Sequence, residues 1–451
     1  MESRTDQLCI NTLRFLAVDM VEAANSGHPG LPLGAAPMAH VLWSRFLNHN
    51  PRNPDWFNRD RFILSAGHGS ALLYGLLHLH GYDLALDELK NFRQWGSKTP
   101  GHPENGLTPG VECTSGPLGQ GFAMGVGMAM TEKFLAEKYN RSGFNIIDHY
   151  TYAIVSDGDL MEGVSSEASS LAGHWGIGKL IYLYDSNRIS IEGSTDLAFT
   201  EDVKSRFRSY GWQVVNVDDG TDLDAIELAI SGARQDADHP SLVMIRTNIG
   251  YGSPKQDDAS AHGAPLGPEA AQATREKLEW PDEPSFHIPE EVSDFHARRL
   301  ESLASKEKEW KDLLEAYGTE HTKLADSLRG AMTGELPEGW QDTLPTFSID
   351  DGPLATRSAS GQALNDLAEK IDNFMGGSAD LSPSNMTVLA KKETFGLNGE
   401  WGPNVHFGVR EHAMAAICNG AALHGGVVPY AGTVLVFADY MSPALRLAAI
   451  M

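Results

Sequence analysis

From about residue 60 to 250 the chain alternates short β-branched or aromatic runs with stretches of helical periodicity. RFIL precedes SALLYGLLHL, YAIV precedes MEGVSSEASSLAG, LIYLYD leads into a long loop, WQVVNV precedes LDAIELAISGA, and SLVMIRT follows. Strands separated by helices cannot pair as tight hairpins, so this order implies an α/β fold, a parallel sheet covered by helices. Open sheets of this kind bind ligands at the carboxyl ends of their strands. Polar residues just after the apolar runs are therefore the first place to look for chemistry.

The 451 residues divide by character. Residues 1–264 carry the alternation and form a complete first α/β domain. Residues 265–350 turn to charged helical sequence such as EEVSDFHARRLESLASKEKEWKDLLEAY, then GELPEGW and DDGP, which suits a connecting arm ending in a linker. In 351–451 the α/β pattern resumes with SGQALNDLAEKI, NFMGGSAD, REHAMAAICNGAALHG and VVPYAGT. It stops early, so the second α/β domain is expected to be partial.

Apolar residues make up 41% and charged residues 21% of the chain, ordinary for a folded protein. Lys and Arg number 35 against 60 Asp and Glu, a net charge of −25. Such a field repels nucleic-acid phosphates and anionic lipid, so neither nucleic acid nor membrane is an expected partner. The most apolar stretch, Ala413 to Ala438, is broken by Asn419, His424, Pro429 and glycines and cannot supply the ~20 residues of a membrane helix. Cys9, Cys113 and Cys418 are widely spaced without a CxxC pair, and the N-terminus lacks a signal-peptide block. A cytoplasmic location is expected.

Asp157 in Val-Ser-Asp-Gly-Asp and Asn187 in Tyr-Asp-Ser-Asn each follow an apolar strand, with a helix between them. A right-handed crossover would bring both to one sheet edge. A carboxylate, an amide oxygen and the Ile189 carbonyl make a half shell of hard oxygen ligands for Mg²⁺ or Ca²⁺, and Gly158 lets the backbone approach a phosphate. The alternative is a pair of turn acids. His28, His68, His102 and His262 all sit at turns with Gly, Pro or Ala neighbours. One such residue is ordinarily a solvated surface imidazole; four with the same framing argue together. Ser70, two residues after His68, is the expected N-cap of ALLYGLLHL. His78 and His80 are expected to be packing or surface residues. Gly116-Pro117-Leu118-Gly119-Gln120-Gly121 differs from the dinucleotide fingerprint and by itself suggests helix packing. Glu411 is either a partly buried proton-holding carboxylate or a helix-start acid favoured by the dipole. Phe437 and Tyr440 suit a stacking platform or plain core.

Taken together the chain closely resembles the transketolase family of thiamine-diphosphate enzymes of the pentose phosphate pathway. SGHPG, LSAGHGS, KTPGHPE, GPLGQG, the DG…N signature, SAHGAPLG, GGSADLSPSN and VREH occur in family order up to Met451. Ser156 stands where the signature has its first glycine. The resemblance implies a diphosphate-binding first domain and the beginning of a pyrimidine-binding second one. Asp157, Asn187 and the Ile189 carbonyl would hold the divalent ion; His68, Gly116, Pro117, Leu118, Gly158 and His262 would line the cofactor. Glu411 would meet the aminopyrimidine, Phe437 would stack on that ring, and Tyr440 would also lie at the cofactor. His28, His102 and His262 would handle hydroxyl protons, with His28, His262 and Glu411 catalytic. Arg357 and Ser384 would face the sugar phosphate, and Asp380 the cofactor or the sugar hydroxyls. The activity implied is reversible transfer of a two-carbon ketol unit between sugar phosphates. The assembly implied is a homodimer with each cofactor between two chains, for which the glycine-rich helices after Gly116 and Gly163 are candidate contacts.

Related thiamine-diphosphate enzymes such as deoxyxylulose phosphate synthase, phosphoketolase and dihydroxyacetone synthase would share the metal site and Glu411; the four histidines with Arg357 and Ser384 favour transketolase. A zinc hydrolase lacks its expected HxH or HExxH spacing. Family chains continue past the position of Met451, so a fragment or a subunit needing a partner remains an alternative. The polypeptide as given is expected not to sustain full turnover alone.

Overall fold

The computed structural model describes residues 4–451, apart from the side chain of Leu397. Five parallel strands, β1 (Arg61–Leu64), β2 (Thr151–Ser156), β3 (Leu180–Ser186), β4 (Gln213–Val217) and β5 (Ser241–Arg246), form one sheet in the order β1-β2-β3-β5-β4. These are the five apolar runs of the sequence. Along β2, Tyr152 and Ile154 enter a core closed by the helices Arg4–Ala24, Gly30–Val41, Ser70–Leu79 and Leu223–Gln235. Ala153 and Val155 point the other way, into a core closed by Gln120–Tyr139 and Gly163–Trp175. Both faces are covered, which is why β1 to β3 read as nearly unbroken apolar runs rather than alternating ones.

Residues just after position 265 pack on this unit: Leu266, Ala271 and Trp280 join Phe15, Val18 and Leu33 in a small core. The arm follows as one long helix, Glu290–Glu320, and a shorter one, Thr322–Thr333. The long helix is pinned by polar bonds. Glu307 accepts from Asn50, from Asn53 at 2.7 Å and from Lys311 at 2.6 Å; Trp310 donates to the Ile146 carbonyl at 2.8 Å and Tyr317 to that of Tyr139 at 2.6 Å. Its N-terminal part closes over a buried imidazole cluster, with ring centres of His80 and His296 at 4.5 Å and of His49 and His80 at 5.4 Å.

The second unit has the parallel strands β6 (Phe374–Ser378), β9 (Asn404–His406) and β10 (Val428–Gly432) in the order β10-β6-β9, with a small hairpin of β7 (Phe395–Leu397) and β8 (Glu400–Trp401). Its helix Glu411–His424 crosses Gln120–Tyr139 of the first unit at backbone contact. A Cβ on Gly127 would lie 2.0 Å from the Ile417 carbonyl oxygen, and one on Gly420 would lie 1.9 Å from that of Met124. Gly125 similarly abuts the Tyr182 hydroxyl and Gly173 the Tyr210 carbonyl. The glycines expected to meet a second chain are thus consumed by contacts within this one. β10 is an edge strand, and beyond it Leu435, Val436 and Tyr440 are 91%, 70% and 65% exposed. Phe437 is also exposed, so the plain-core reading of Phe437 and Tyr440 is wrong: nothing in the described residues covers that turn. Among the described residues no helix is long and apolar enough to cross a membrane.

Two predictions follow from this packing. Gly127→Ala must push the two helices apart, because a carbonyl oxygen cannot yield as a flexible side chain does; a loss of about 1–3 kcal/mol is expected, and an unchanged urea midpoint would refute the contact. Burial, with neighbouring positive charge, lowers the pKa of His49 to about 3, that of His296 to about 3, and that of His80 well below its usual 6.5. The folded state therefore binds fewer protons than the unfolded chain, and stability present above pH 6.5 is lost as pH falls toward 3. Each histidine should cost about 2 kcal/mol between pH 6.5 and 5. Urea titrations of the parent and of His296→Leu at both pH values check this; equal slopes would exclude it.

Candidate active site

The carboxyl ends of β1, β2 and β3 open on a cavity of ≈350 Å³ lined by Leu31, His68, Gly116, Leu118, Asp157, Gly158, Asn187, Ile189 and His262, among others. Loop and strand lock together through one buried acid. Asp159 Oδ1 accepts from the Ser65 hydroxyl at 2.7 Å and from the Gly119 amide at 2.9 Å, while Oδ2 accepts from the Ser156 amide at 2.9 Å and its hydroxyl at 3.1 Å. Ser156 and Asp159 form a capping box at the start of Asp157–Met161, a use for serine where the signature carries glycine. Gly116 has φ +131°, and a Cβ there would meet the His102 ring at 3.0 Å, so glycine is required to seat this loop.

Asp157 is buried and holds two donors, the Tyr184 hydroxyl on Oδ1 and the Arg188 amide on Oδ2 at 3.1 Å. Burial nevertheless raises its pKa above the usual carboxylate value, so the ionised form lacks compensation. Asn187 donates from Nδ2 to Asp185 at 2.9 Å and accepts the Ile189 amide on Oδ1 at 2.9 Å. Asp185 is held by the Thr247 hydroxyl, and burial raises its pKa to about 7, the Asp157 charge adding to the effect. One side of the cavity thus offers a carboxylate, an amide oxygen and the residue whose carbonyl was expected as a ligand.

The four turn histidines converge. Ring centres lie 5.3 Å apart for His28 and His68, 5.7 Å for His28 and His262, 6.3 Å for His28 and His102, and 5.0 Å for the stacked pair His68 and His262. Arg93 Nη2 donates to His28 Nδ1 at 3.5 Å, and Nη1 to the Ser26 hydroxyl at 2.9 Å. Burial, then His262, Arg93 and His102, lowers the His28 pKa to about 4; burial also lowers those of His68, His102 and His262. At neutral pH these rings are uncharged and can both donate and accept. The expected Ser70 cap does not form: a tight turn over Gly67–Gly69 leads straight into the helix, and the Ser70 hydroxyl donates instead to the Gly101 carbonyl at 2.8 Å. His80 is buried in the arm cluster, while His78 bonds the Leu84 carbonyl at 2.7 Å.

His28, His102 and the remaining candidates do not line this cavity. Pro117 is exposed on the glycine loop beside it. Glu411 heads its helix and is half-buried, with its neighbours tied to the first unit: His412 to Gln120 at 2.6 Å, Arg410 to Ser170 at 3.1 Å, and the Ala413 amide to Glu167 at 3.0 Å. Arg357, Ser384, Asp380, Phe437 and Tyr440 are exposed on the second unit, Asp380 with φ +61°. Within one chain the structure therefore does not bring these six residues to this cavity. Tyr184, Asp185, Asp159, Thr247 and Arg93 were missed by sequence reasoning. Asp185 stands near the end of an otherwise apolar strand, but its partner Thr247 lies 62 residues away and left no local signal.

Comparison with known proteins decides the family. A profile described as the transketolase thiamine diphosphate binding domain matches residues 5–337, and one described as the transketolase pyrimidine binding domain matches residues 352–451. The chain belongs to the transketolase family. The transketolase of Halalkalibacterium halodurans is 55% identical over all of this chain and 68% of its own length, and that of Geobacillus stearothermophilus is 54% identical with the same coverage. A solved Pichia stipitis transketolase in complex with sedoheptulose 7-phosphate is 46% identical, with a TM-score of 0.98 over 99% of this chain and 67% of that one. The Leishmania mexicana transketolase is 44% identical, with a TM-score of 0.97 over 100% of this chain and 67% of that one. This chain thus spans about two thirds of the length of these transketolases. The expected α/β class, the family and the transferase activity stand, and thiamine diphosphate is the cofactor of the matched domain.

The residues present fit that cofactor. His262 Nδ1 is buried without a partner at the cavity, and a Cβ on Gly158 would sit 2.8 Å from Leu118, where the backbone must leave room. Were a diphosphate to lie beside the Asp157 carboxylate, a cation between the two would offset their repulsion. Asp157→Ala is expected to abolish the stimulation of thiamine diphosphate binding by Mg²⁺. Equal binding with and without EDTA, measured by calorimetry, would reject the site.

Proposed function

We propose that the chain carries out reversible transfer of a two-carbon ketol unit from a ketose phosphate such as xylulose 5-phosphate to an aldose phosphate such as ribose 5-phosphate or erythrose 4-phosphate, in the cytoplasmic pentose phosphate pathway. The observation that carries the reading is the meeting of Asp157, Asn187, Ile189, Gly116, Leu118, His68 and His262 around one cavity, with the uncharged rings of His28 and His102 adjoining through His68 and His262. Asp157, Asn187 and the Ile189 carbonyl would hold Mg²⁺, or Ca²⁺ or another divalent ion, against the diphosphate. His68, Gly116, Pro117, Leu118, Gly158 and His262 line the cofactor.

Thiamine diphosphate, when bound, supplies the nucleophilic carbon and the electron sink for carbon–carbon cleavage. The chain supplies position and proton handling. His28, His102 and His262, held neutral, donate to and accept from sugar hydroxyls as cleavage and rejoining proceed. Arg93 can only donate, so its bond to His28 Nδ1 leaves the ring proton of neutral His28 on Nε2. Glu411 holds a proton at the aminopyrimidine, Phe437 stacks there with Tyr440 beside it, Arg357 and Ser384 take the sugar phosphate, and Asp380 lies by the cofactor or sugar hydroxyls.

These second-unit residues come from a partner chain in the proposed homodimer. Their position away from this chain's own cavity, with all but the half-buried Glu411 exposed, supports that arrangement. In this reading residues 1–264 are the diphosphate-binding domain, 265–350 the arm and linker, and 351–451 the first part of the pyrimidine-binding domain. A coupled assay with xylulose 5-phosphate and ribose 5-phosphate tests the activity. Glu411→Gln in the dimeric enzyme should slow exchange of the cofactor's ring proton by about 10²–10⁴-fold while leaving Mg²⁺-dependent binding intact. Parental exchange by proton NMR would remove Glu411 from the mechanism.

A further inference from the structure

We infer that Asp185, which meets neither cofactor nor cation, is the positioning residue that decides which atom of Asn187 faces the cation and that holds the turn presenting the Ile189 carbonyl; the inference rests on the cation reading above. The two ends of an amide side chain have nearly the same outline and differ only in what they bond. If Asn187 turned its Nδ2 toward the ion, two N–H groups would oppose a positive charge and one ligand would be lost. Its orientation must therefore be imposed from elsewhere.

The structure shows what imposes it. Asn187 Nδ2 donates to Asp185 Oδ2 at 2.9 Å, and the Ile189 amide donates to Asn187 Oδ1 at 2.9 Å. The Thr247 hydroxyl fills Asp185 Oδ1 and leaves Oδ2 to accept from Asn187, while the backbone amide of Ile189 only donates. A flipped Asn187 would give up its donated bond to Asp185 and set two donors against each other at Ile189. Asp185 is fixed in turn, because the Thr247 hydroxyl donates to its Oδ1 across the register that pairs Asp185 with Ile245 and Ser186 with Arg246. Asp185, Asn187 and Thr247 are respectively 1%, 6% and 2% exposed, so water does not compete for these bonds.

The same bonds shape the turn. Arg188 lies between Asn187 and Ile189 at φ +64°, a left-handed conformation uncommon for a non-glycine residue, and its amide reaches Asp157 Oδ2 at 3.1 Å. Thr247, Asp185 and Asn187 thus form a chain that ends on the Ile189 amide, while the intervening Arg188 ties the turn to Asp157. Outer partners that orient a metal ligand are typically worth 10–100-fold in metal affinity.

The test is a Mg²⁺ titration of thiamine diphosphate binding by calorimetry on the full-length enzyme, comparing the parent with Asp185→Asn, Thr247→Val and Asp157→Asn. Urea midpoints of the metal-free proteins are measured alongside. Asp185→Asn should weaken the apparent Mg²⁺ affinity about 10–100-fold and Thr247→Val by a smaller factor, and saturating Mg²⁺ should restore parental cofactor binding in both. Such rescue distinguishes a displaced ligand from a damaged fold. Mg²⁺ affinity within twofold of parental in Asp185→Asn, or a loss that saturating Mg²⁺ fails to repair, overturns the inference. If Asp185→Asn does not fold, Thr247→Val decides on the same criteria. Parental Mg²⁺ dependence in Asp157→Asn would instead bring down the cation reading itself.

Discussion

Asp159 touches no ligand in the site proposed here, yet four hydrogen bonds end on its carboxylate. They come from the end of β1, the glycine loop before the Gln120 helix and the end of β2. Burying a carboxylate without a cation partner is costly unless its lone pairs are filled, and here three separate segments fill them. Removing any donor would leave charge exposed to an apolar interior, so the segments are held together by the cost of parting. The cavity between them inherits its shape from that constraint. Two of the four histidines rest on the same frame, since the loop carrying His68 continues from Ser65 and Gly116 packs against the ring of His102.

A second constraint fixes how the two units meet. Where Gly127 faces the Ile417 carbonyl and Gly420 faces that of Met124, two helices touch at their backbones. No side chain intervenes to cushion a change of angle. The start of the Glu411–His424 helix is also tied by His412, Arg410 and Ala413 to Gln120, Ser170 and Glu167. Glu411 is consequently carried at a set position relative to the first unit, although it does not open on that unit's own cavity. A rigid placement of this kind suits the role proposed for Glu411 in a site completed by a partner chain.

Much of this was legible in the sequence, for a physical reason. Strands covered on both faces need apolar residues at every position, so β1 to β3 stood out as nearly unbroken runs, and the polar residues following β2 and β3, Asp157 and Asn187, marked the edge where the cavity opens. His28, His68, His102 and His262 were legible through their small neighbours, which leave the rings unshielded. Asp185 and Asp159 were not, because an acid beside a turn looks the same whether it faces solvent or a threonine 62 residues away. The Ser70 cap failed because a preceding tight turn supplied the helix start. Phe437 and Tyr440 looked like core because their neighbours are apolar, whereas exposure depends on what packs over them. The glycines of the Gln120 helix announced close packing without naming the partner, which lies some 290 positions further on.

The paired glycines have a consequence for how relatives of this chain can be recombined. Because each glycine is matched to a carbonyl on the opposite helix, the two helices form a single unit of inheritance although they belong to different units of the fold. A chimera joined in the segment 334–355, which carries only short turns of helix, would look safe by secondary structure. It would still place one parent's Gly127 against the other's Ile417. Successful exchange requires that the residues on both sides of the crossing come from the same parent, or that they are small in each. Sequence drift at these positions should therefore be correlated, with any gain of volume on one helix answered on the other.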